Sequence, residues 1–153
     1  MKISGSIFLS RLIAAGEGNS GEIIIDSGSW TYGGHTFRSH GDSGLGAVDM
    51  VRSIVLSSNV YYYSLANDLG VDTIHDFMKP MGFGQSTGLD LPGEVRGVLP
   101  STEWKRNNYK KPDQQKWYAG ETISLGIGQG YNAFTMLQLA QATAVLAAKG
   151  VKH

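Results

Sequence analysis

Ser57 and Asn59 stand one residue apart between two apolar runs, and no other Ser-x-Asn occurs in the chain. A hydroxyl and an amide held rigidly at the lip of a cleft could act on a substrate there. The same residue types are preferred helix caps, and Asn59 could do no more than cap a helix starting at Val60. A second candidate is the run Gly126-Ile127-Gly128-Gln129-Gly130. Its glycines would let backbone approach a ligand closely, or would simply make a connector before a helix. The run lacks the strand spacing of a dinucleotide fingerprint, and no Gly-Lys-Ser/Thr occurs, which argues against nucleotide binding. His35, His40 and Asp42, with Asp26 in reserve, are the residues that could hold a metal. Their spacing matches no helical zinc motif, and histidines in a Gly-rich loop are usually solvated.

The elements that must position these residues can be read from periodicity. Residues 48–70 form two helical pieces joined by Ser57-Ser58-Asn59: Val48, Val51, Arg52 and Val55 keep helical spacing before the joint, and Tyr61, Ser64, Leu65 and Asp68 keep it after. Gly70 offers the stop. Tyr61, Tyr62 and Tyr63 point in three directions on a helix, which suits core and boundary packing. Upstream, residues 7–15 suggest a short helix closed by Gly16, and residues 17–21 a loop. Residues 23–25 are β-branched, residues 29–38 read as a hairpin turning at Gly33-Gly34, and residues 40–46 as loop. Downstream, a helix is expected over residues 71–80, then a long Gly- and Pro-punctuated loop to Pro100 with one short strand at residues 88–91. Ser101 is a natural N-cap for a short helix. Residues 107–118 are basic and exposed, and residues 120–130 a Gly-dense loop. The clearest helix is residues 134–148, where Leu137, Ala140, Ala144 and Ala147 form one stripe and Leu139, Ala142 and Leu146 another. Small residues on both stripes predict close packing.

Composition narrows the class. A length of 153 residues suits one domain with a real core, and no internal repeat or interdomain linker is visible. Thirteen basic residues balance thirteen acidic ones, so there is no electrostatic case for nucleic acid or an anionic membrane surface. With no cysteine, disulfides, thiolate catalysis and zinc ribbons are excluded. No apolar run reaches the ~18 residues of a membrane span, and the N-terminus lacks a signal-peptide core, so the chain reads as soluble. The 21 glycines imply a loop-rich molecule.

Two long stretches carry a resemblance. SSNVYYYSLANDLGVDTIHDFMKPMGFGQSTGLDLPGEVRGVLPSTEWK, and then WYAGETISLGIGQGYNAFTMLQLAQATAVLAAKG, resemble the transpeptidase domain of class B penicillin-binding proteins of the elongation-specific type. The resemblance implies the helical portion of a β-lactamase/transpeptidase-like fold, mainly α with minor β, lacking most of the central sheet; residues 1–153 would be part of such a domain. That family uses a Ser-x-x-Lys nucleophile, a Ser-x-Asn facing it and a Lys-Thr-Gly strand. The resemblance implies that Ser57 is the hydroxyl of the proton relay and Asn59 the amide that holds the donor peptide or antibiotic side chain. Gly126, Gly128, Gln129 and Gly130 would border the same cleft. It further implies a peptidoglycan stem peptide and β-lactams as ligands, the cell-elongation machinery as partner, and a periplasmic parent anchored in the inner membrane.

The departures shape the expectation. No serine here has a lysine three residues on, and neither Lys-Thr-Gly nor Lys-Ser-Gly occurs. The chain thus looks like a middle segment, catalytically silent alone, whose apolar face would be exposed and prone to self-association. A class A β-lactamase would need a Glu-x-x-Leu-Asn, which is absent. Some members of the family type carry a structural zinc on Asp, Asp, His and Cys. Asp26 matches the first ligand and Asp42 the second, but Gly44-Leu45-Gly46 stands at the histidine position and Ser58 at the cysteine position. No zinc and no other cofactor is therefore expected.

Overall fold

The computed structural model describes residues 22–39 and 43–151. The expected helix over residues 7–15, the loop after it, and His40 and Asp42 of the metal reading lie outside those residues. Backbone packing divides the chain into two compact units: Met1–Val71 with Tyr118–Gly130, and Asp72–Trp117 with Tyr131–His153.

In the first unit, strand β1 (Ile24–Asp26) pairs antiparallel with β4 (Gly46–Val48), setting Asp26 opposite Gly46. Strands β2 (Ser29–Tyr32) and β3 (His35–Arg38) form the expected hairpin. Its rings make a small aromatic layer: Trp30 stacks on Tyr32, and Phe37 lies 5.5 Å from the Tyr63 ring. Helix α1 (Met50–Val55) starts later than periodicity suggested, because Val48 belongs to β4. Asp49 caps it, its carboxylate accepting from the Arg52 amide at 2.7 Å.

Helix α2 (Asn59–Leu69) is the axis of this unit. Val60, Tyr61, Tyr62, Tyr63, Leu65 and Ala66 are all buried, which is how a helix flanked on every side reads. Ser58 is its N-cap, accepting from the Tyr61 amide at 3.2 Å, so the cap lies one residue before the Asn59 that the sequence offered. Gly70 ends it at φ 76. Burial, with a lesser contribution from the neighbouring Tyr62, pushes the Tyr61 phenol up to about 12. Because the folded value lies above the ordinary value of about 10, the stability it reflects is fully present below pH 10 and lost as pH rises through 12. Circular dichroism followed during alkaline titration should therefore show unfolding in that window, and Tyr61→Phe should push it to higher pH.

Helix α6 is the largest departure from expectation; α3 (Val71–Met78), which enters the second unit from Asp72 on, and α4 (Thr102–Asn108) and α5 (Pro112–Gln115) of that unit precede it in the chain. Residues 120–126, read as loop, are most of α6 (Ala119–Gly126). Glu121 Oε2 accepts from the Tyr118 amide at 2.9 Å, satisfying the helix start, while Ile123 and Leu125 are buried. Two glycines at its ends masked this helical pattern.

In the second unit, a 3-10 turn (Lys79–Met81) extends α3 and Gly82 closes it in the left-handed region. Ser101 caps α4 as expected, accepting from the Trp104 amide at 2.9 Å. Asp72 of α3 braces the same cap: its carboxylate accepts from the Thr102 amide at 2.8 Å and hydroxyl at 2.7 Å. Helix α7 (Met136–Ala147) buries Gln138, Ala142 and Val145. Of the first predicted stripe Leu137 is half-buried while Ala140, Ala144 and Ala147 are exposed; of the second, Ala142 is buried and Leu139 and Leu146 half-buried, as expected. Phe83 and Phe134 meet with ring centroids 4.5 Å apart in the core.

The loop between α3 and α4 contains no strand at residues 88–91; Leu89 and Leu91 are exposed. Side chains hold it in place of a ladder. Gln138 Nε2 donates to the carbonyls of Gln85 (2.7 Å) and Arg96 (2.6 Å), and Glu94 accepts from Ser86 Oγ at 2.6 Å and the Thr87 amide at 2.7 Å. These bonds, led by that from Ser86, hold the Glu94 carboxyl below its ordinary range. A single bridge pairs Val98 with Ala133.

Candidate active site

Both residues of the Ser-x-Asn pair lie in the turn between α1 and α2, with opposite environments. Ser57 is exposed and adopts φ 54, a left-handed backbone for a residue with a Cβ. Such a conformation costs ~1–2 kcal/mol and persists only where the surroundings impose it. Its amide reaches the Ile54 carbonyl at 3.4 Å and its neighbour's amide reaches the Ser53 carbonyl at 3.0 Å, so the end of α1 folds directly into the turn. Ser57→Gly should raise stability by up to about 1 kcal/mol, the left-handed penalty less glycine's extra chain entropy, as read from urea unfolding midpoints.

Asn59 opens α2 and is only 7% exposed, yet its side-chain amide makes no hydrogen bond to another described residue. Between the two, Ser58 is fully buried. Its hydroxyl donates to Asp26 Oδ2 at 2.6 Å, and Asp26 Oδ1 accepts from the Gly28 amide at 2.8 Å. A short hydroxyl–carboxylate bond of this kind is among the stronger ones available. On the inner side, Ser53 Oγ donates to the Met50 carbonyl at 2.7 Å and shares a hydrogen bond with Tyr62 Oη at 2.9 Å, tying α1 to α2. Residue types singled out Ser57 and Asn59; the family resemblance put Asp26 and Ser58 at positions of one metal site, and the structure joins those two by a direct hydrogen bond instead.

Gly126 meets the same helix. A Cβ there would collide with the Tyr62 carbonyl and come within 2.7 Å of Ala66 Cβ, so only glycine lets α6 approach α2 this closely. Gly126→Ala should destabilise the unit by ~1–3 kcal/mol, measured by urea unfolding, because backbone on the other side cannot yield. Gly128 and Gly130 have φ 73 and 71, and the Gly128 and Gln129 amides return to the carbonyls of Leu125 and Ser124 at 2.9 and 3.0 Å. Gly128, Gln129 and Gly130 therefore form the exposed C-terminal turn of α6 rather than a free loop.

The residues at the zinc positions do not fit the metal. Both Asp26 oxygens already accept hydrogen bonds, and the Ser58 hydroxyl spends its proton on one of them while accepting from the Tyr61 amide. Leu45 supplies no ligand atom. Among the described residues no group of three or more His, Cys, Asp or Glu side chains converges.

Comparison with known proteins places this geometry. The family model for the penicillin binding protein transpeptidase domain matches residues 7–153. The chain belongs to the penicillin-binding protein transpeptidase family. Among curated relatives it is 47% identical over 116 residues to the peptidoglycan D,D-transpeptidase MrdA of Acinetobacter baumannii, covering 76% of this chain and 17% of that protein. It is 35% identical over 141 residues to MrdA of Escherichia coli K12, covering 91% of this chain and 22% of that one. The chain thus spans about a fifth of the length of these relatives. Among solved structures, Pseudomonas aeruginosa PBP2 in complex with WCK 5153 matches with a TM-score of 0.85 and 41% identity, covering 98% of this chain and 33% of that one. Helicobacter pylori PBP2 in complex with MreC matches at 0.81 and 28%, covering 96% and 27%. The transpeptidase-domain residues present here form its helical portion, with two small two-stranded sheets among the described residues. No helix among them is long and apolar enough to cross a membrane.

Proposed function

We propose that this chain supplies the Ser-x-Asn wall of a peptidoglycan D,D-transpeptidase that cross-links stem peptides and is acylated by β-lactams. The observation that carries the reading is the turn itself: an exposed residue in a strained backbone at Ser57, beside Asn59, whose side-chain amide makes no hydrogen bond to another described residue, at the start of a buried helix. In the reaction, a serine oxygen of the whole enzyme attacks the penultimate D-Ala carbonyl and the terminal D-Ala leaves as its amine, taking a proton. The amine of a second stem peptide then displaces the serine, which recovers its proton. Ser57 serves in the proton relay, and Asn59 hydrogen-bonds the donor peptide backbone or the β-lactam side chain. Gly126, Gly128, Gln129 and Gly130 border the cleft. The residues belong to one partial transpeptidase domain. Their parent works in the periplasm, anchored to the inner membrane with the elongation machinery, a reading supported by the MreC complex of the Helicobacter relative.

Without Ser-x-x-Lys this chain cannot form the acyl-enzyme, so fluorescent penicillin should leave it unlabelled by mass; labelling at any serine would overturn that. Its isolated behaviour is set by apolar surface: Ile23, Ile25, Val51 and Val55 are each more than 60% exposed, which favours self-association. The function is tested by grafting. The matching stretch of the Acinetobacter baumannii relative is replaced with this chain's residues, and acylation by fluorescent penicillin is timed. Labelling at a rate near that of the host protein is expected; a folded graft that stays unlabelled would sink the proposal.

A further inference from the structure

We propose that Asp26 is a positioning residue for the Ser57-Ser58-Asn59 turn, acting through Ser58 and without a metal ion. The inference rests on the reading of that turn as a wall of the acyl-transfer site, and goes beyond it by assigning what holds the wall in place.

Asp26 is itself fixed. It closes β1 opposite Gly46 of β4, and its Oδ1 is anchored by the Gly28 amide at 2.8 Å. Its Oδ2 reaches across the unit to Ser58 Oγ at 2.6 Å, and Ser58 in turn accepts from the Tyr61 amide at 3.2 Å. A buried carboxylate, 1% exposed, thereby lies one hydroxyl away from the N-terminus of the eleven-residue α2, where the helix dipole favours negative charge. Ser58 is covalently joined to both candidate residues. Ser57 has no glycine-like tolerance for its φ of 54, so the conformation depends on its neighbour being held.

The same bonds make the site independent of zinc. Zinc requires converging donors such as thiolate, imidazole and carboxylate. Here the residue at the thiolate position is a neutral hydroxyl, the residue at the imidazole position is the hydrocarbon Leu45, and the Asp26 carboxylate is occupied. An ion at this place would have to break the Asp26–Ser58 bond and uncap α2. The tether that such an ion would provide is supplied by a single hydrogen bond.

The experiment uses the chain as it stands, isotopically labelled, with the Ser57 backbone amide and the Asn59 side-chain amide as nuclear magnetic resonance reporters and the Gln138 side-chain amide as a control in the other unit. Excess zinc chloride, or a chelator, should leave all three signals and the melting temperature unchanged. Asp26→Asn and Ser58→Ala should each shift both reporter signals by more than a linewidth and leave the control in place, and Ser58→Thr, which keeps the hydroxyl, should restore them. A shift at one equivalent of zinc, a loss of signal with chelator, or reporters that ignore both Asp26→Asn and Ser58→Ala would overturn the proposal. None of these readings depends on acylation. An unlabelled graft would therefore remove the transpeptidase reading while leaving the tether intact, and unmoved reporters would do the reverse.

Discussion

In the graft, Asn59→Ala should slow acylation by fluorescent penicillin about 100-fold, with the melting temperature nearly unchanged. The magnitude follows from removing a positioned hydrogen-bond donor from an acyl-transfer site, which costs roughly 100- to 1,000-fold elsewhere. The near-neutral stability follows from the structure: the amide of Asn59 makes no hydrogen bond to another described residue, and the cap of α2 is Ser58. Alanine at the first helical position is a good helix former and keeps the backbone. Separating the two effects is the point of the measurement. If Asn59 were only a cap, stability would fall by ~1 kcal/mol and the acylation rate of the folded fraction would not move.

Gln138→Ala should lower the free energy of unfolding by ~3–5 kcal/mol, read from the urea midpoint at constant slope. Gln138 is fully buried and its amide is used at both ends: Nε2 donates to the carbonyls of Gln85 and Arg96, and Oε1 accepts from the Thr135 amide at 3.2 Å. Truncation leaves two carbonyls of an otherwise irregular loop without their donor and opens a cavity of several atoms beside Gly97, where a Cβ would already strike the Ala133 carbonyl. Gln138→Glu is the informative companion. It keeps the volume but replaces the donor with an acceptor facing two carbonyls, so it should be at least as damaging, whereas a purely steric role would make it mild.

These predictions also show where the sequence was legible. The joint at Ser57-Ser58-Asn59 could be read because apolar spacing stops on one side and resumes on the other, and the hairpin because Gly33-Gly34 separates two β-branched and aromatic runs. The Ser101 cap was equally plain. Helix α6 was hidden because Gly120 and Gly126 punctuate it, and Gly126 is present for the close approach to Tyr62 rather than for a turn. The buried face of α7 was read only in part, through Leu139, Ala142 and Leu146, for a related reason. Its central residue is Gln138, a polar side chain whose partners lie far away in the chain, so no local pattern marks it as core. In the candidate site, residue types gave Ser57 and Asn59; that Asp26 and Ser58 share one place came only from the family resemblance, because spacing cannot reveal a tertiary contact, and their direct hydrogen bond came only from the structure.

The aromatic residues give the molecule an optical address for each unit. Of its three tryptophans, Trp30 lies in the unit with the hairpin, while Trp104 and Trp117 lie in the other. Trp30 is stacked flat on Tyr32, within 2° of parallel. Trp117 and Tyr131 instead each have the Lys105 ammonium 5.5 Å from the ring centre, a buried cation over π-faces. A charge so placed shifts indole emission, so the two units emit under different electric fields. Trp30→Phe removes tryptophan emission from one unit and, with excitation selective for indole, leaves fluorescence reporting on the other alone. The melting of the half that carries the Ser57 turn can thus be told from the melting of the half that carries Gln138, with no dye attached.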